Sequence, residues 1–383
     1  MQVCFVAEHP SSGAIGGAEV AMSILAEQLV KEGVGVHNAS MRPPETGTQD
    51  IHHHPASSRL GRTVYDILNR HSTLRRTGRW MLALARGGGK FGSFVDKLYI
   101  QEYESALADA DADVYIQVSA GRQTAYLADF CEKKRRPFIF RSTSLWDADL
   151  TFKWGFTSWR ESTKALYLRG VKRADIVAAN SVDTANAFKK HIDRDKVLFV
   201  PDGFHIPPCS SFSREEGYVL WVGRDAPYKR SWLYPELARM LPKHEFVMVG
   251  DLNRIGNPPP NLRLLGPKKP SELPEIYSRA KVLVNTSEVE GFPNVLVEAG
   301  MRGVPYVGFI DPDGVVTEQS LGFRCEHLND MAIKIDLLMK EEDLRLKLGK
   351  NARQFVEENR DIEKVVKIWL ALLDGLVHRD ARA

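Results

Sequence analysis

Short β-branched and apolar runs recur along this chain, each followed by a stretch with helical spacing. In the first half they are QVCFVA (2–7), DVYIQVS (113–119), PFIFR (137–141), DIVAANS (175–181) and VLFV (197–200). In the second half they are YVLWVG (218–223), EFVMVG (245–250), NLRLLG (261–266), KVLVNT (281–286) and VPYVGF (304–309). Several lack polar alternation, the pattern of strands covered by helices on both faces. Ala21, Ile24, Leu25 and Leu29 mark one face of the helix after the first run. The alternation predicts an α/β protein with parallel sheets.

The two sets of runs are separated by PDGFHIPPCSSFSREEG (201–217), rich in Pro, Ser and Gly and without periodicity. At 383 residues the chain exceeds one ordinary core. The expected organisation is a first Rossmann-like domain at 1–204, a linker at 205–216, a second such domain at 217–360 and a terminal amphipathic helix at 361–383. That helix is expected to be free to pack back on the first domain. In open doubly wound sheets, ligands sit beyond the carboxyl ends of the strands, so a cleft between the two is the expected site.

Composition narrows the function classes. A hydrophobic content of 43% and a charged content of 26% are those of a globular protein. A net charge of +3 gives no support to nucleic-acid binding. The cysteines Cys4, Cys131, Cys209 and Cys325 are far apart and read as small buried hydrophobes in a reducing compartment. No apolar run approaches the roughly 20 residues needed to cross a bilayer. The opening MQVCFVAEHP reads as a strand rather than a signal peptide. A cytoplasmic protein is expected, at most peripheral at the inner membrane face. One stretch stands apart. Residues 59–100, within a basic insertion at about 55–105, carry cations such as Arg75, Arg76 and Arg79 among Trp80, Met81 and Leu82, against only Asp66 and Asp96. Two readings are open: a solvated helical insertion, or a basic, apolar surface that touches anionic lipid or an anionic acceptor.

The chemistry concentrates in SEVEGFPNVLVEAG (287–300). Pro293 suits the first position of a helix, where its missing N–H would be unpaired anyway. The N–H groups of Asn294 and Val295 then face outward and make a site for an anion, phosphate above all. Gly291 allows close backbone approach. Glu290 sits in the loop and Glu298 further in, roughly 7.5 Å along a helix axis at about 1.5 Å per residue. Carboxylates repel phosphate, so their task is to accept hydrogen bonds from hydroxyls on either side of it. A nucleoside diphosphate sugar has that layout. VGRDAPYKR (222–230) adds Arg224 and Lys229 at a strand's carboxyl end, a fork donor and a point charge suited to a diphosphate; the competing reading is two exposed surface cations. SSGAIGGAEV (11–20) places Gly13, Gly16 and Gly17 before the first helix, but not with the GxGxxG spacing of a dinucleotide site.

These motifs together resemble the retaining glycosyltransferases of family 4 (group 1), which have the two-Rossmann GT-B fold. The resemblance rests on VGR…K (222–229), LLGPKKPSELPEIYSRAKVLVNTS (264–287), the E-x7-E stretch EGFPNVLVE (290–298) and AGMRGVPYV (299–307). GGAE (16–19), RADIVAANS (173–181) and VPDG (200–203) extend it over the first half. It implies transfer of a sugar from a nucleoside diphosphate sugar to a hydroxyl of a carbohydrate or lipid-linked acceptor, without a metal or other cofactor. Arg224, Lys229 and Glu290 would carry catalysis. Glu298 would hold the ribose, and Glu290 the donor sugar. Gly291, Phe292, Pro293, Asn294 and Val295 would line the diphosphate. Gly250, Gly266 and Pro267 would border the base in the second, nucleotide-sugar-binding domain, and Gly16 and Gly17 would approach from the first, acceptor-binding domain. The chain departs from the family in two places. Gln117 and Ser119 stand where a histidine is common, and Gly314 alone where glycines are usually paired. Gln117, Ser119, Asp147 and Asp149 are therefore the candidate acceptor or sugar contacts.

Asp109/Asp111/Asp113, Asp147/Asp149 and Asp311/Asp313 invite a metal reading that their repetition weakens. His52, His53 and His54 are expected in a solvated loop. A nucleotide-sugar epimerase of the same fold, or a non-catalytic nucleotide-sugar binder, are the competing functions.

Overall fold

A computed structural model describes residues 1–7, 16–40, 50–55, 90–208, 216–250 and 255–380, with the backbone alone for 90–99, 379 and 380. Gly13, Cys209, most of the basic stretch 59–100 and most of the linker lie outside these residues. The first sheet contains β1 (Gln2–Ala7), β2 (Gly35–Ser40), β3 (Ile51–Pro55), β4 (Val114–Val118), β5 (Phe138–Ser142), β6 (Ile176–Ala179) and β7 (Val197–Phe199). Its helices are α1 (Gly17–Lys31), α2 (Lys90–Ala110), α3 (Gln123–Lys134), α4 (Glu161–Val171) and α5 (Val182–Phe188). The second sheet contains β8 (Tyr218–Val222), β9 (Phe246–Val249), β10 (Leu262–Leu264), β11 (Ala280–Asn285), β12 (Tyr306–Gly308) and β13 (Gly322–Arg324). Around it run α6 (Leu233–Met240), α7 (Leu273–Arg279), α8 (Asn294–Gly300), α9 (Val315–Glu318), α10 (Leu328–Lys340) and α11 (Glu342–Asn359), and α12 (Ile362–Asp380) follows.

The strand orders are β3-β2-β1-β4-β5-β6-β7 and β10-β9-β8-β11-β12-β13, all pairs parallel. Both orders reverse beside their first strand, between β1 and β4 and between β8 and β11, which opens a crevice at each point. The unmixed apolar runs are the central strands: Val3–Val6, Val114–Val118 and Val219–Leu220 are buried on both faces.

Three strands carry no such run. β2 (GVHNAS), β3 (IHHHP) and β13 (GFR) lie towards the sheet margins, where pairing rather than hydrophobicity makes the strand. His52, His53 and His54 therefore stand on the edge strand β3, not in the solvated loop expected for them. His37 Nδ1 lies 2.9 Å from His54 Nε2 across the β2–β3 pair. Pro55 is tolerated as the last residue of an edge strand.

One feature crosses the domain division. Ile362, Val365, Val366, Trp369 and Leu373 of α12 are buried in the same core as Val3, Leu25, Ile116 and Ile139. The last helix thus covers one face of the first sheet, beside α1. The chain returns to it at Phe204 and Ile362, where Ile362 N–H donates to Phe204 O and Phe204 N–H to Arg360 O. Cys4, Cys131 and Cys325 are free and buried, and burial pushes the Cys4 thiol up to about 12. Among the described residues no helix is long and apolar enough to cross a membrane.

Candidate active site

The site forms where the two switch points face each other. α8 starts immediately after the loop leaving β11, and Pro293 is its cap with extended backbone (ψ 122°) rather than its first helical residue. The helix proper begins at Asn294. Its side-chain Nδ2 donates to the backbone oxygen of Gly17, 2.8 Å away, at the start of α1. Gly16 caps α1. Two helix N-termini, one from each domain, are thus brought together, and both direct backbone donors and positive dipole ends into the crevice. A Cβ on Gly17 would lie 2.8 Å from that Asn294 nitrogen. A Cβ on Gly291 would lie 2.7 Å from Asn180 Oδ1 of the first domain. Both glycines allow the domains to approach.

Lys229 ends a single 3-10 turn (Pro227–Lys229) after β8, and its ammonium pairs directly with Glu290. Ser287 Oγ donates to the same Glu290 oxygen at 2.8 Å. The groups expected to take the diphosphate and the donor sugar therefore hold each other. Arg224 is exposed on the same loop. Sequence reasoning missed Arg230. In a left-handed backbone (φ 46°), it donates from Nε to Thr286 O (2.9 Å) and from Nη2 to Ser287 O, with its guanidinium 4.6 Å from the centre of the Phe309 ring. Thr286 Oγ1 donates back to Lys229 O at 2.7 Å, and Glu288 N–H to Tyr228 O. These bonds tie the loops after β8 and β11 into one unit and so fix Lys229 relative to Glu290.

Glu298, inside α8, accepts a hydrogen bond from Tyr277 Oη at 2.6 Å. Burial pushes its carboxyl above the ordinary value, with the Tyr277 bond opposing. Beyond the carboxyl ends of β8, β9 and β10, Gly250 N–H donates to Gly266 O (3.0 Å) and Gly223 N–H to Val249 O. Gly250 has φ 138°, and a Cβ there would lie 1.7 Å from Gly223 O. Three strand ends meet there with no side chain between them, and Pro267 follows. Phe292 is buried, with the Arg360 guanidinium 3.7 Å from its ring centre.

The candidate contacts from the first domain are placed differently. Gln117 is fully buried, its amide donating to Thr124 Oγ1 (2.9 Å) and Ser119 O. Asp147 accepts from the N–H groups of Thr143 and Ser144 and from Ser142 Oγ, and burial raises its pKa. Asp149 is buried yet its pKa is lowered. Desolvation is outweighed by hydrogen bonds from the Thr151 hydroxyl and the Gly155, Trp154 and Thr151 N–H groups. All three support the loops. Of the four, Ser119 and Asp147 line open space, and Ser119 Oγ lies 2.7 Å from Thr143 Oγ1. The other aspartate pairs are similarly occupied: Asp311 accepts from Val316 and Thr317, and Asp111 and Asp113 pair with Arg136. Asp147, Asp149 and Asp311 thus serve turn backbones.

Beside Glu290 lies an inter-domain cavity of about 220 Å³. Ser119, Thr143, Ser144, Trp146 and Phe156 of the first domain face Tyr228 and Val289 of the second across it. Trp146 and Tyr228 meet edge to face with ring centres 5.0 Å apart.

Two doubly wound domains enclosing a polar crevice define the GT-B class, and comparison with solved structures bears this out. Anabaena HepE in complex with UDP-glucose is similar over 98% of this chain and 100% of that one, with a TM-score of 0.68 at 15% identity. A variant of S. aureus TarM in complex with fondaparinux, alpha-GlcNAc-glycerol and UDP is similar over 97% and 100%, with a TM-score of 0.74 at 13% identity. Residues 210–355, most of the second domain, match the family model described as glycosyl transferases group 1. Among curated proteins, an uncharacterized glycosyltransferase of Haemophilus influenzae is 32% identical over 102 residues, which are 25% of this chain and 29% of that protein. A Campylobacter jejuni alpha-1,4-N-acetyl-D-galactosaminyltransferase acting on a diphospho-undecaprenol-linked sugar is 27% identical over 203 residues, 49% and 56%. The chain thus matches between about a third and a half of the length of these two relatives.

Proposed function

We propose that the chain is a retaining glycosyltransferase that moves a sugar from a nucleoside diphosphate sugar to a hydroxyl of a polysaccharide, glycolipid or other glycoconjugate. The observation that carries the reading is the Asn294–Gly17 hydrogen bond, which joins the starts of α8 and α1 beside Lys229 and Glu290. A diphosphate in that crevice meets amides from both domains, with Lys229 and Arg224 to neutralise it. Glu298 accepts from the ribose, and Glu290 from the donor sugar. As the anomeric carbon–oxygen bond breaks, its electron pair passes to the terminal phosphate oxygen. The acceptor oxygen bonds to that carbon on the same face, and its proton goes to the departing phosphate. Cations and amides already aimed at the leaving group lower the barrier.

Two Campylobacter relatives act, by their names, on diphospho-undecaprenol-linked sugars, which favours a lipid-linked acceptor. We place the reaction on the cytoplasmic side, peripheral at the inner membrane face through 59–100, and without a metal ion. Screening nucleotide sugars for thermal stabilisation tests the donor, since a ligand at 100 times its Kd adds about 2.7 kcal/mol. Stabilisation by at least one nucleotide sugar, and turnover that persists in EDTA, are expected. No stabilisation by any of them defeats the donor assignment, and loss of turnover in EDTA defeats the metal-free mechanism. Interconversion of donor alone, without acceptor, would instead identify an epimerase.

A further inference from the structure

We propose that the cavity beside Glu290 seats one uncharged sugar ring of the acceptor against the aromatic wall that Trp146, Phe156 and Tyr228 form together. The inference rests on the transfer reading above and adds the chemical class that the acceptor end must have.

The walls divide by chemistry. Trp146, Phe156 and Tyr228 present aromatic surface, and Ser119, Thr143 and Ser144 supply hydroxyls. Aromatic faces carry negative charge and attract the weakly positive C–H faces of a pyranose, while hydroxyls pair with its rim. A pocket of about 220 Å³ is below the roughly 300 Å³ at which drug-sized sites begin, so one ring is the scale of its occupant. No Lys, Arg or His is among the described residues that line it. The one lining carboxylate, Asp147, is turned to the backbone N–H groups of Thr143 and Ser144. A phosphate or uronate placed there would lose its water without gaining a partner, which is costly.

The backbone is also unusual at this spot. Ser119 (φ 66°) and Phe156 (φ 52°), both lining residues, are non-glycine residues in the left-handed region. Such conformations cost about 1–3 kcal/mol each and cluster where a ligand is clamped. Phe156 is held by stacking on Trp159 at 4.1 Å between ring centres. The location selects acceptor over donor. Most of the wall comes from the first domain, opposite the group 1 domain, while Tyr228 and Val289 directly precede Lys229 and Glu290 in the chain. Because Tyr228 closes the wall from the second domain, the pocket is whole only when the two domains meet.

Saturation-transfer NMR on the full chain tests this with methyl α-glucoside, methyl α-galactoside, methyl α-N-acetylgalactosaminide and methyl glucuronide, each with and without UDP. At least one uncharged glycoside is expected to receive saturation, also in the presence of UDP, and the glucuronide to receive none. Trp146→Ala and Tyr228→Ala, one from each domain, should weaken that binding about tenfold or more while UDP still stabilises the protein. Should one variant fail to fold, the other decides. Binding of the glucuronide as strong as that of its neutral counterparts, unchanged binding in the folded variants, or no glycoside binding at all overturns the proposal. Displacement of the glycoside by a nucleotide sugar but not by UDP would give the pocket to the donor's own sugar and likewise overturn it. Retained UDP stabilisation with failed glycoside binding defeats only the pocket; the reverse result defeats only the donor reading.

Discussion

Asp183 and Asp313, 130 residues apart and in opposite domains, each accept a hydrogen bond from the other's backbone N–H, at 2.9 and 3.1 Å. The exchange fastens α5 to the turn before α9 on one flank of the cleft. Burial raises the Asp313 carboxyl, the hydrogen bonds from Asp183 and Val182 oppose, and the charge of Asp183 adds to the rise. Asp313→Ala removes an acceptor and is expected to lower stability by about 1 kcal/mol. Asp313→Asn keeps an acceptor and removes the repulsion, so it should melt no lower than the parent at pH 7. Thermal melts of the two variants check this; equal losses would count against it.

Lys229 and Glu290 neutralise each other until a diphosphate arrives. Lys229→Ala is expected to slow transfer about 10²-fold or more, as removal of a preorganised charge does. Glu290→Gln frees the ammonium, so nucleoside diphosphate should bind more tightly even as transfer slows. Calorimetric titration with UDP beside steady-state kinetics separates the two effects. Weaker UDP binding to the glutamine variant would show that the ion pair does not compete with the ligand.

Glu298 has a raised folded-state pKa, from burial first, against its ordinary value of 4.5. A carboxyl raised on folding favours the native state while protonated. Its contribution is complete below about pH 4.5 and is lost as pH rises through the higher folded value. Glu298→Gln should therefore gain stability relative to the parent as pH climbs from about 4.5 to 7, and lose affinity for the nucleotide. Urea denaturation at several pH values gives the difference curve. A flat curve would place the carboxylate in solvent.

Gly250 abuts Gly223 so closely that Gly250→Ala has both a clash and a positive φ against it. A loss of about 2–4 kcal/mol is expected from strain of this kind. A shift in the urea midpoint measures it, with Gly256→Ala, where a Cβ meets nothing within 4 Å, as the comparison.

The central strands were legible because residues such as Val3–Val6 and Val247–Val249 are apolar without a break, a pattern that parallel sheets impose. The margins were not. Gly35–Ser40 and Ile51–Pro55 hold histidines and polar residues whose extended form comes from neighbours, not from their own preference. In the site, E-x7-E and the glycines could be read because each does its work within a few residues. The Lys229–Glu290 pair spans 61 residues and exists because β8 and β11 are adjacent, a fact of strand order. Asp147 and Asp149 are named as candidate contacts because the chain departs from the family pattern elsewhere; which way a short acid turns depends on the N–H groups the next turn offers it. Arg230 gave no signal beyond being one more cation beside Lys229.

The last helix has a consequence for how the protein is made. Trp369 and Leu373 complete the core against which Val3 and Ile116 pack. A ribosome that has released the first seven strands has therefore not released the helix that, beside α1, covers one side of them. The domain synthesised first is finished last, after the whole of its partner has emerged, and until then that exposed sheet face is work for a chaperone.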